Sequence, residues 1–242
     1  MCIYNFGHDQ RWQTLYHATV EHFASGRGFD SAARQQIEDH DRQIPNTQLL
    51  RQIATTFMVV RAIPRADRDG NVGATSLLGA LNELTGQNWH NLGLVEKAHE
   101  CVALANHANQ HDWTNHLHLS GVTKYLWFLW PWGWTMYDRF ARRGLCIYDD
   151  DSGEALIEFY QKLEAREFPN VANNISATIQ LFDDQLNWLF GERIIDKYLM
   201  IAGGAAQNGP IRSVEDTFDS LDDALVATAD AVAQAVANQH AN

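Results

Sequence analysis

The sequence predicts an all-α protein. Apolar residues recur at helical spacing almost from end to end, and no convincing run alternates with period two. Glycine, proline and capping residues fall between the periodic segments. With 242 residues, 45% of them hydrophobic and 20% charged, the chain can bury a full core. We read residues 1–242 as a single helical domain made of two subdomains.

In chain order, Trp12, Leu15, Tyr16, Thr19 and Phe23 mark one face of a first helix ending near Gly26-Arg27-Gly28. Asp30 or Ser31 caps a second helix through Ile37, and a third covers about 46–58. Residues 63–73, with Pro64, Gly70 and Gly73, read as the clearest loop, and Thr75 or Ser76 caps the helix that Gly86 stops. A long helix over 92–112 turns Val95, Ala98, Val102 and Ala105 inward. Short helices at 123–130 and 138–145 follow, then longer ones at 152–166, 172–190 and 193–201. The last, 213–238, sets Val214, Phe218, Leu221, Leu225, Val232 and Val236 opposite an acidic face.

Composition narrows the function. The apolar stretch 125–134 holds Pro131 and Gly133 and falls short of the ~18 residues a membrane span needs. The first residues lack a basic region followed by an apolar one, so no secretory signal is expected. Cys2, Cys101 and Cys146 are far apart and odd in number, which suggests no disulfide framework and a reducing, cytoplasmic setting. The net charge of −12 disfavours a general affinity for nucleic acid. That charge is uneven: 213–242 carries six acids and no Lys or Arg, whereas 121–145 sets Lys124, Arg139, Arg142 and Arg143 against Asp138 alone. Binding answers to the local field, within roughly 8–10 Å in ordinary salt.

That basic stretch is where chemistry concentrates. Leu119-Ser120-Gly121-Val122-Thr123-Lys124 reads as a hairpin between two helices, with Gly121 at the turn. Peptide N–H groups at Gly121, Val122 and Thr123 would then meet a DNA phosphate at a helix start. Pro131-Trp132-Gly133-Trp134 makes a second turn, and Asp138 opens the helix bearing Arg139, Arg142 and Arg143, candidate DNA contacts. A carboxylate there is kept ionised by the helix dipole and the free N–H groups. An ionised carboxylate suits cleavage of a glycosidic bond, which develops positive charge on the sugar.

The run 119–124, the apolar 125–129, Pro131 and then Tyr137-Asp138-Arg139 resembles the core of the helix–hairpin–helix DNA glycosylase superfamily. The likeness is to the branch with the 8-oxoguanine DNA glycosylase fold, in compact bacterial form. It implies a two-lobed helical fold, a helix–hairpin–helix core at about 92–145, and double-stranded DNA containing a modified base as partner. It implies excision of that base with Asp138 as the catalytic aspartate. Lys124 falls near the lysine that forms a Schiff base in members with lyase activity. Similar proteins accompany anti-phage systems, so a hypermodified phage base is one implied target. Thr123 stands where the family has a second glycine, and Lys124 and Asp138 are 14 residues apart, a closer spacing. No four-cysteine cluster follows, and no cofactor is implied.

Plainer roles stand beside these. Asp138 is also a natural helix cap, and Lys124 a solvated or phosphate-contacting lysine. Trp127, Trp130, Trp132, Trp134 and Tyr137 either stack on a flipped base and wedge the duplex, or belong to the core. Arg61, Arg65 and Arg68 either hold phosphates or sit in solvent. His107 and His111 share a helical face, but no HExxH accompanies them or His116 and His118, and no metal is assigned. The run Arg193–Leu199 also recurs in proteins of this fold and is assigned to packing. The alternative to an enzyme is a non-catalytic DNA- or partner-binding module of the same fold.

Overall fold

The computed structural model describes residues 2–64, 70–86, 89–148, 152–183, 186 and 188–242. Among them there is no strand, and the all-α expectation holds. No described helix is long and apolar enough to cross a membrane. The chain divides into two compact units, one of 1–31, 138–149 and 165–242, the other of 32–137 and 150–164. The boundary between Tyr137 and Asp138 falls within the stretch 92–145.

The first unit contains α1 (His8–Ser25), α7 (Arg139–Gly144), α9 (Phe168–Phe182), α10 (Gly191–Ala202), α11 (Ala205–Asn208), α12 (Val214–Phe218) and α13 (Asp223–His240). Leu15, Ala18 and Phe23 of α1 pack with Ile175 and Ile179 of α9, Ile194 of α10, and Val232 and Val236 of α13. The tail expected as one helix is two. Ser213 caps α12 and Asp222 caps α13, accepting from the N–H groups of Asp216 and Leu225 at 3.0 Å each. Short polar caps restart the backbone there, while Phe218, Leu221 and Leu225 still reach the same core. The helix expected over 172–190 spans Phe168–Phe182 instead, because Asp183 turns extended.

A disulfide joins Cys2 to Cys146 across 144 residues of sequence, correcting the expectation of unpaired cysteines, and Cys101 is free and buried. Spacing in sequence carries no information about a pair that folding brings together.

The second unit contains α2 (Ser31–Glu38), which begins at its border, with α3 (Thr47–Thr56), α4 (Gly70–Gly86), α5 (Leu94–Gln110), α6 (Leu119–Leu129) and α8 (Gly153–Glu164). Asn46 caps α3, accepting from the N–H of Leu49 at 2.9 Å. The helix assigned to a cap at Thr75 or Ser76 already begins at Gly70, within the expected loop. Arg65 and Arg68 lie outside the described residues, while Arg61 is exposed on a 3-10 turn. Ala98, Cys101, Ala105 and Ala108 form the inward stripe of α5, and almost every residue of α6 is buried. A helix buried on all sides in this way is a core helix, its side chains committed to packing.

Candidate functional site

In the second unit the expected hairpin is the first turn of α6, which begins at Leu119. The Val122 N–H donates to the His118 carbonyl at 3.0 Å, and Gly121, Val122 and Thr123 are all buried. They are not a phosphate-binding turn. Gly121 serves the space beside it. A β-carbon there would stand 1.8 Å from Nε2 of His118. That buried ring shares a hydrogen bond of 3.1 Å with the Tyr125 hydroxyl. Burial, helped by the charges of His116 and Lys124, pushes the His118 pKa down to about 3, so the ring is neutral. Burial raises the Tyr125 phenol well above its ordinary value.

Lys124 is 3% exposed, so it is neither solvated nor open to phosphate. Its Nζ donates to Ser120 Oγ at 2.7 Å and to the Tyr137 carbonyl at 3.2 Å. Ser120 Oγ donates to the same carbonyl at 3.0 Å, and the Tyr137 N–H donates to Thr123 Oγ1 at 3.1 Å. One turn of α6 therefore takes both backbone polar groups of Tyr137, the residue before Asp138. An ammonium that donates to these oxygens is a structural cation, and a Schiff-base nucleophile has to be a free amine with room for a sugar.

The aromatic residues divide by burial. Trp127, Trp134 and Tyr137 are core. Trp134 packs between Trp89 and Tyr160, with ring centroids 5.2 and 6.0 Å away, and Tyr137 meets Phe159 edge-on at 5.5 Å. None of the three presents a face to a base. Trp130 is half-buried, and Trp132 is 36% exposed on a turn where Gly133 takes a φ of 75°.

In the first unit Asp138 is the N-cap of α7, with Oδ1 accepting from the Phe140 N–H at 2.8 Å. The carboxyl is half-buried, which leaves a partly exposed anion in a fixed orientation. Arg139 and Arg143 are exposed, Arg139 with its guanidinium 4.7 Å from the Phe140 ring centroid. Arg142, expected on DNA, is instead 8% exposed, and its Nε and Nη1 have no hydrogen-bond partner among the described residues. Close backbone contact holds α7 on α10. A β-carbon on Gly144 would stand 2.3 Å from the Leu199 carbonyl oxygen, and one on Gly203 would stand 1.9 Å from that of Phe140.

The same α10 carries a buried ionic network where the sequence suggests packing alone. Arg193 pairs with Asp196 one turn on and with Asp30 at 3.4 Å. Lys197 lies 3.6 Å from Glu21, which also faces Arg212 at 3.7 Å and accepts from Thr217 Oγ1 at 3.0 Å. Burial works against the Arg193 charge, but Asp196 and Asp30 outweigh it and raise the pKa. For Lys197 the order reverses. Burial, then the Arg193 charge, lowers its pKa against Glu21, Asp30 and Asp196. Four charged residues, Glu192, Arg193, Asp196 and Lys197, on a helix that also buries Ile194 and Leu199 are the readable sign.

The rings of His107 and His111 lie 4.3 Å apart, tilted at 51°, at the end of α5, against Trp113. No group of three metal-ligating side chains is found among the described residues. Compared with protein families, characterised proteins and solved structures, the chain matches none.

Proposed function

We propose that the protein is a DNA N-glycosylase that excises a modified base from double-stranded DNA, with Asp138 as its catalytic carboxylate. The observation that carries this reading is Asp138 itself: a half-buried carboxylate, fixed by the Phe140 N–H, on a helix with Arg139 and Arg143 exposed. The likeness of 119–145 to helix–hairpin–helix glycosylases supplies the reaction.

The C1′–N bond breaks with its electron pair leaving on the base, which takes up a proton. The sugar passes through an oxocarbenium-like state that the Asp138 carboxylate stabilises. Water adds its oxygen to C1′ and gives a proton to that carboxylate. The reaction is hydrolytic, since the donor bonds of Lys124 suit anchoring of Tyr137 better than attack on the sugar. Action on DNA goes with the cytoplasm, and a hypermodified phage base would make the setting antiviral defence.

A binding module without catalysis is the second reading, favoured by one observation. Gly121, Val122 and Thr123, expected to hold phosphate, are buried in α6, which favours a partner-binding module. Incubation with DNAs carrying oxidised, hydroxymethylated or glucosylated bases, with mass spectrometry of the freed base, separates the two. The glycosylase reading expects release from one of these substrates, and no release from any favours the module.

A further inference from the structure

The second unit gathers cations and indoles at its surface. The Arg42 guanidinium carbon lies 4.7 Å from the ring centroid of Trp130 and 5.0 Å from that of Trp132. The Arg34 guanidinium lies 5.3 Å from Trp132. The two indoles are 5.1 Å apart at 75°, and His90 sits 5.5 Å from Trp130. Arg42 occupies this position at a φ of 60°, a conformation side-chain-bearing residues seldom adopt.

The contacts narrow the ligand chemistry. Aromatic faces can enclose a cation, but here the chain's own guanidinium groups already meet them, so a cationic ligand is disfavoured. Arg34 is paired with Glu38 at 3.0 Å, whereas exposed Arg42 has no ion pair among the described residues. What is on offer is a set of N–H donors beside a partly exposed indole. A matching ligand carries anionic oxygens next to a flat π-surface, as a nucleotide does. Bases in a duplex keep their faces in the stack, so the fit is to an unpaired strand.

We propose that Arg42, Trp130 and Trp132 form a contact site for single-stranded nucleic acid. Arg42 meets a phosphate and Trp132 stacks on a base. The proposal rests on these contacts and not on the glycosylase reading.

Fluorescence anisotropy with a labelled oligothymidylate, an abasic strand of equal length and polyglutamate tests it, using the full chain at fixed low salt. Wild type should prefer oligothymidylate to the abasic strand by at least about fivefold. Trp132→Ala should abolish that preference, and Trp132→Phe, which keeps a ring, should restore most of it. Arg42→Ala should weaken both strands, with Arg42→Lys intermediate. Equal affinity of wild type for the two strands, wild-type binding by Trp132→Ala and Arg42→Ala, or tighter binding of polyglutamate would each overturn the site. Strand binding and base release are measured separately, so failure of one and failure of the other report on different claims.

Discussion

Helices α6 and α10 both bury charge, and they answer it differently. In α6 a single cation, Lys124, meets neutral oxygens on Ser120 and Tyr137. In α10 the cations Arg193 and Lys197 meet carboxylates of Asp30, Asp196 and Glu21. With Lys124 removed, Ser120 still donates to the Tyr137 carbonyl. A cation among carboxylates leaves buried anions. The first arrangement anchors a loop, and the second locks helix to helix at high risk.

The largest effect should come from breaking the second arrangement. Arg193→Met strands Asp30 and Asp196 and should cost about 3–5 kcal/mol of unfolding free energy in urea titrations. A loss below ~1 kcal/mol would mean that the network is solvated or dispensable. Lys124→Met should cost less, about 1–3 kcal/mol by the same measurement. Borohydride should trap no Lys124 adduct from wild type on abasic DNA. A trapped adduct would return Lys124 to chemistry and undo the contrast.

A smaller effect, read by pH, comes from His118, the buried histidine before α6. The unfolded chain protonates His118 near its ordinary pKa of 6.5, the folded one only near about 3. Between those values the unfolded state binds more protons, so this contribution is complete above pH 6.5 and stability falls as pH drops. His118→Gln should flatten that part of the acid limb, and an unchanged slope would place His118 in water.

These contrasts also show what a sequence can display. The helices over 8–25, 94–110 and 139–144 are legible because apolar period and, at Asp138, a helix cap act locally. Gly121 misleads because a glycine needed for a turn and one needed to clear a histidine ring look alike in sequence. Trp127 and Trp134 pass for base contacts because aromatic residues serve core and ligand equally well, and only burial separates them. Arg42 gives no local signal, since Trp130 and Trp132 reach it from almost ninety residues away in the chain. The Arg193–Asp30 and Cys2–Cys146 pairs are hidden for the same reason, and so is the burial of Arg142.

The account turns on the Asp138 carboxylate. The direct test is single-turnover release of a modified base, monitored by mass spectrometry, for wild type and Asp138→Asn. Asparagine caps a helix about as well as aspartate, so the fold and the α7 start should persist while the charge is lost. The expected result is base release by wild type, slowed roughly 10²–10³-fold in the variant. Release at the wild-type rate by Asp138→Asn would contradict the assignment.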